Sequence, residues 1–305
     1  MPAMSMKNKG LLVCGALLVA SSALAQDVYV TLVEARFTVT DRAGQFVGNL
    51  TRDDVTVYDN DVPQTVTDLT VKAHLPIRVA LVIDRSLSVD DRFPFVKRAA
   101  AEFARAVIRE PEDQGMVVAF DTRAFLLQDW TSDGEALVGA IDGLTAAGGT
   151  SVFDALLKTC RDGFGGTDPR QRVVVLVTDG EDTTSRASVE QAVDMARSAR
   201  VMVYVVGIRA EASLNTRELQ GRHVLTELAD VTGGRVLYPA DGQGHQLGPV
   251  FSMLAEEMRN QYRVAYYLDV PPDNAFHRLR VETRNRALHI HAPSGFYARP
   301  ALWVR

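Results

Sequence analysis

Cysteine is nearly missing from this sequence of 305 residues; there are two, Cys14 and Cys160. A scaffold stapled by disulfides is thereby excluded. Positive charge is not in surplus either. With 33 basic and 38 acidic side chains the formal charge is −5, whereas a nucleic-acid binder normally carries a basic face. Beyond the first 25 residues no apolar run approaches the roughly 20 residues that cross a bilayer. Internal repeats and low-complexity segments are lacking. So are the H-E-x-x-H, G-x-S-x-G and G-K-[ST] signatures of zinc proteases, serine hydrolases and phosphate-cradling loops. What is present is ordinary globular composition, 47 % apolar and 23 % charged, in a chain long enough for two domains.

The beginning of the chain reads as an export signal. Lys7 and Lys9 precede an apolar stretch at 10–20, followed by Ser21, Ser22, Ala23, Leu24 and Ala25. A positive start, a short apolar core and a small-x-small ending mark a secretory signal peptide cleaved near Ala25. The mature protein is then expected in the periplasm or outside the cell, without a membrane span. Cleavage would also remove Cys14 and leave Cys160 to pack as a small hydrophobe on its helix.

Three textures follow. Residues 28–71 alternate apolar and polar positions, with breaks at 41–44, 48–49 and 59–61, as short antiparallel strands do. From residue 77 continuous apolar runs appear at 79–83, 116–120, 173–177 and 201–206, as in parallel strands covered on both faces. Amphipathic stretches lie between them, at 95–107, 135–144, 152–161 and 189–199. A further strand at 235–238 precedes a last helix at about 246–259. Residues 124–130 are read as one antiparallel edge strand. After residue 260 the alternation returns, at 262–268, 279–283 and 288–290. The pattern predicts an α/β fold. It is an open, mostly parallel, Rossmann-like sheet with helices on both faces, inserted into a small antiparallel β-sandwich. The divisions are a signal peptide at 1–25, half of the sandwich at 26–75, the α/β domain at 76–260 and the other half at 261–305.

Ligands of open α/β sheets bind beyond the carboxyl ends of the strands. The loops expected there carry Asp84, Ser86 and Ser88 after the first strand, Thr150 after Gly148 and Gly149, and Asp179 after the strand at 173–177. These are oxygen donors only, a set that suits a hard divalent cation such as Mg²⁺. Asp84, Ser86 and Ser88 are alternate residues of one loop, so their side chains can point to one side. The two glycines let the backbone approach where a Cβ would obstruct. The competing explanation is that Asp84, Ser86 and Ser88 cap the following helix.

These residues resemble the von Willebrand factor type A (VWA) domain with its metal-ion-dependent adhesion site, or MIDAS. The likeness is carried by the D-x-S-x-S loop, the Thr150 of GGTSVFDAL and the Asp179 of VVVLVTDGED. It covers about residues 76 to 260, and the flanks look like those of a related bacterial exported group. Leu87 stands where the family often has glycine. The resemblance implies that Ser86 and Ser88 bind the metal directly, with Thr150 and Asp179 direct or through water. It also implies that a partner protein's Asp or Glu completes the shell, as in cell adhesion. Asp84 and Asp179 would cancel the charge of Mg²⁺ (or of Mn²⁺ or Ca²⁺) and leave it able to attract an outside carboxylate, unless Glu181 or Asp182 turned inward. The expected function is a non-enzymatic protein-binding module. The alternative is a Mg²⁺-dependent hydrolase using the same site.

His289 and His291 are two apart on an expected strand and could chelate zinc, but an exposed sandwich face explains them as well. The arginines at 259–263 and Arg278, Arg280, Arg284 and Arg286 are expected to line a solvated strand face.

Overall fold

The computed structural model describes residues 31–72, 75–166, 168–208, 216–238, 247–268, 271 and 273–298. The expected signal peptide and Cys14 lie outside the described residues.

The central sheet comprises β5 (Ile77–Asp84), β6 (Gln114–Phe120), β7 (Ala124–Thr131), β8 (Gln171–Thr178), β9 (Met202–Gly207) and β10 (Val236–Leu237). Their spatial order is β10-β9-β8-β5-β6-β7. All neighbours are parallel except β7, the antiparallel edge that the sequence predicts. Strand alternation explains why these segments are apolar throughout. On β5, Ile77, Val79, Leu81 and Ile83 face a core shared with α1 (Phe93–Val107), α2 (Gly134–Asp142) and α6 (Leu247–Arg259). Ala80 and Val82 face the opposite core, under α3 (Val152–Lys158), α4 (Val189–Ser198) and α5 (Thr216–Thr232). Both faces being buried, neither parity can be polar.

Two departures from the expected elements have local causes. Periodicity did not reveal α5, because Gly221 interrupts it and its buried positions include only Leu225, Leu228 and Ala229 as apolar side chains. The helix expected over 152–161 stops being α-helical after Lys158 and widens into a π-turn at Thr159–Gly163. Cys160 lies within that turn, buried among apolar side chains, and burial pushes its thiol up to about 12. It is therefore an inert packing residue.

The flanking strands form two four-stranded antiparallel sheets. One has the order β13-β1-β11-β4, from β1 (Thr31–Thr40), β4 (Asp68–Lys72), β11 (Gln261–Leu268) and β13 (His289–His291). The other runs β14-β12-β2-β3, from β2 (Val55–Asp59), β3 (Val62–Gln64), β12 (Phe276–Thr283) and β14 (Gly295–Tyr297). Their inner faces share one core, in which Phe37 stacks on Tyr262 at 5.3 Å. The buried Asp59 carboxylate accepts the Tyr266 hydroxyl at 2.9 Å and meets His277 Nδ1 at 2.7 Å, linking the two sheets. Each sheet thus interleaves strands from both ends of the chain.

Two sequence expectations about charged residues fail here. Arg259 does not line a solvated face. It is buried at the end of α6, 2.9 Å from Asp113. Asp113 also accepts the Ile77 and Arg109 amides and the Arg109 guanidinium. Burial pushes the Asp113 carboxyl up, but the Arg109 and Arg259 hydrogen bonds outweigh it and hold it below the ordinary range. The two points where the chain passes between sandwich and α/β layers are thereby pinned to one carboxylate. His291 is likewise less exposed than expected: it is half-buried, 3.3 Å from Thr40, although it shares a strand face with the exposed His289, and Ile290 between them is the residue that packs against the sandwich core.

Candidate metal centre

The carboxyl ends of β5 and β8 lie side by side, and the chain leaves β5 for β6 on one flank and later occupies β8 on the other. This is the point where strand order reverses, and the crevice it opens is where such sheets bind ligands. Asp84 is the last residue of β5, and Asp179 follows the last residue of β8.

The Asp84 loop is rigid. Ser86 N donates to Asp84 Oδ1 at 2.9 Å, and Leu87 N donates to the Gly148 carbonyl at 3.2 Å. The Ser86 and Ser88 hydroxyl oxygens lie 2.8 Å apart. Ser86 begins a short 3-10 turn without capping it through its side chain, and the N-cap of α1 is Arg92, which also makes no side-chain cap. Helix capping therefore does not account for this serine pair.

Thr150 reaches the same place through backbone stitching. Ala147 N donates to the Arg85 carbonyl at 2.7 Å, and the Thr150 carbonyl accepts from Thr183 N and Thr184 N at 2.9 and 3.0 Å. Gly148 has a left-handed φ of +73°, and a Cβ there would stand 3.0 Å from that of Asp121. Glycine is what lets this loop pass between the first two strand ends. The described structure thus brings the loops of all five expected residues into one cluster. Asp84, Ser86, Thr150 and Asp179 are buried, and Ser88 is half-buried.

The electrostatics are unusual for a cluster left to itself. Burial pushes the Asp84 carboxyl up to about 7; hydrogen bonds from Ser86 pull the other way, and the nearby Asp179 charge raises it further. Two carboxylates so placed repel each other and lack water to screen them. A divalent cation would relieve both penalties, and the hydroxyls beside them are oxygen donors for it. The donor set therefore fits a hard dication.

Other carboxylates nearby are occupied elsewhere. Asp182 turns to the start of α3, accepting Val152 N at 2.9 Å and the Ser185 hydroxyl at 2.8 Å. Asp121, at the end of β6, pairs with Arg85 at 2.8 Å. Burial raises its carboxyl, but hydrogen bonds from Arg85, the Arg123 amide and the Thr122 hydroxyl together outweigh this and keep it low. Among the described residues no group of three or more His, Cys, Asp or Glu gathers to hold a metal, so His289 and His291 have no third zinc ligand there.

Sequence reasoning gave no role to two residues of the site. Thr178 donates its hydroxyl to Asp84 Oδ2 at 2.7 Å, fixing the rotamer of that carboxylate. Arg85, between Asp84 and Ser86, neutralises Asp121. The signal for the second was faint: Asp121 directly follows an apolar strand, as Asp84 does. Among the described residues no helix is long and apolar enough to cross a membrane.

Comparison with known proteins follows the same lines. A family model described as the von Willebrand factor type A domain matches residues 79–243. The uncharacterized protein sll0103 of Synechocystis is 33 % identical over 111 residues, 35 % of this chain. That match spans only 26 % of the Synechocystis protein. Among solved structures, a von Willebrand factor type A protein from Catenulispora acidiphila aligns with a TM-score of 0.51 at 13 % identity, over 87 % of this chain and 73 % of its own. Proximal thread matrix protein 1 from the mussel byssus, with a zinc-occupied MIDAS motif, aligns with a TM-score of 0.51 at 20 % identity, over 64 % of this chain and 48 % of its own. At these identities the structural likeness is one of fold.

Proposed function

The chain belongs to the von Willebrand factor type A domain family, and from that premise we propose that it is an exported, non-enzymatic module that holds a partner protein through a divalent cation. Asp84, Ser86, Ser88, Thr150 and Asp179 would hold the ion, and an Asp or Glu of the partner would complete its shell. One observation carries this reading. Two carboxylates and a touching pair of serine hydroxyls share a strand-end crevice, while Asp121 and Asp182 are bound to other groups. Two anionic ligands balance a dication without quenching it, so it keeps attraction for an outside carboxylate. Oxygen-only donors favour Mg²⁺, with Mn²⁺ or Ca²⁺ as substitutes. The zinc-occupied MIDAS of the mussel protein supports a divalent ion at such a centre. Export rests on the sequence of residues 1–25.

Calorimetric titration with Mg²⁺ tests the metal centre. The wild type should take up one ion per chain, and Asp84→Ala and Asp179→Ala should lose at least about tenfold in affinity, the loss of one charged ligand. Equal uptake by all three proteins overturns the site. A phosphatase and esterase screen with Mg²⁺ addresses chemistry; turnover abolished by Asp179→Ala would make the protein a hydrolase instead.

A further inference from the structure

An exposed leucine is ordinary on a protein surface, but Leu87 occupies an uncommon place. It stands between the two serines whose hydroxyls face the proposed ion, and it is 62 % exposed, more than any other large apolar side chain among the described residues. It is not a loose tip. Its amide donates to Gly148, its carbonyl accepts from Asp90, and Ser86 beside it is tied to Asp84. The backbone therefore presents this side chain outward in a fixed position.

The turn that follows Leu87 reaches, at Asp90, an open groove of about 700 Å³ between α1 and α2, whose lining mixes Phe93, Val138 and Leu144 with the charged Asp90, Lys97 and Glu102; Leu87 itself is not in that lining. The apolar contact offered at the rim of the proposed ion is therefore Leu87 itself.

The geometry points to Leu87 as a specificity-determining contact that selects partner segments in which the metal-binding Asp or Glu is directly flanked by a bulky apolar residue. This rests on the proposed function of the same site. The dication supplies attraction for the carboxylate and does not distinguish one acidic segment from another. Leu87 gains only when a neighbouring apolar side chain covers it, because desolvating both surfaces is favourable in proportion to the area buried. Acidic segments flanked by glycine or by charge leave Leu87 in water and gain nothing.

The test uses two probes on the full Mg²⁺-loaded protein, acetyl-Gly-Glu-Gly-amide and acetyl-Leu-Glu-Gly-amide, with binding measured by NMR titration with and without EDTA. The leucine peptide should bind about fivefold tighter, the gain expected from partly burying one leucine against another. Leu87→Ser should remove that advantage while leaving the affinity of the glycine peptide and of Mg²⁺ unchanged, and Leu87→Met should keep it. Equal affinity of the two peptides for the wild type, or an advantage that survives in Leu87→Ser, overturns the role of Leu87 and leaves the metal centre standing. If neither peptide binds in an EDTA-sensitive way, the carboxylate-capture reading itself fails, and this inference falls with it.

Discussion

Asp84 shows how one residue is committed by its surroundings. Thr178 and the Ser86 amide each hold one of its oxygens, so the carboxylate is oriented before any ion arrives. The cost is a buried anion beside a second one, and an empty centre of this kind favours protonation near neutrality. His291 makes a separate prediction at this scale. Burial, with Arg235 and His289 nearby, lowers its imidazole to about 4. The folded chain keeps the ring neutral where the unfolded chain protonates it, below its ordinary 6.5. Stability from this residue is thus complete above pH 6.5 and declines as pH falls towards 4. Between pH 7 and pH 5 the wild type should lose about 1–2 kcal/mol more than His291→Gln, as measured by urea unfolding. Identical losses would show that the ring does not titrate in this window.

At the scale of elements, the site depends on a helix that carries none of its proposed ligands. Gly221 of α5 lies directly on the loop after β8; a Cβ there would come 1.9 Å from the Gly180 carbonyl oxygen. Helix and loop touch backbone to backbone, and that contact sets the height of the peptide following Asp179. Gly221→Ala should therefore displace the loop, with a destabilisation of about 1–3 kcal/mol from overpacking. Mg²⁺ affinity should fall together with stability. Calorimetric titration of the folded variant checks this, and unchanged affinity would show that the loop keeps its position independently of α5. The other end of the domain is held differently. There Asp113 collects Ile77, Arg109 and Arg259, so α6 is fixed to the first strand of the sheet by charge where the Gly221 contact fixes α5 by shape.

For the molecule as a whole, the sandwich and the α/β domain meet through polar contacts. Arg235 donates to the Gly44 carbonyl at 3.5 Å, Arg197 to the Ser294 hydroxyl at 2.7 Å, and Ser294 N to the Val231 carbonyl at 3.0 Å. The centre is at the far, carboxyl edge of the sheet, and an ion there would tie three loops of the α/β domain to one point. Binding to the folded state alone adds stability by mass action, about 2.7 kcal/mol at a hundredfold excess over Kd. Thermal melts should accordingly move up with Mg²⁺ and back with EDTA for the wild type, and should be insensitive to both for Asp179→Ala. A shift that persists in the variant would place the stabilising ion elsewhere.

Much of this was determined by the order of residues. Apolar runs without polar parity demanded a sheet covered on both faces, because every position on such a strand is buried. The alternating segments at both ends, each too small to bury its own apolar face, demanded each other. Oxygen-bearing residues at two strand ends, those of Asp84 and Asp179, were legible because strand ends can be read from where apolar runs stop; Thr150 lies instead on the loop between α2 and α3. Pairings between residues distant along the chain were decided by tertiary structure alone. Thr178 orients Asp84 across 94 positions, Asp121 is neutralised by Arg85 across 36, and Arg259 is drawn inside by Asp113 across 146. A side chain's type shows that it can donate or accept, but only the packed chain fixes which partner stands within 3 Å, and that choice separates a ligand from a helix cap and a surface arginine from a buried clamp.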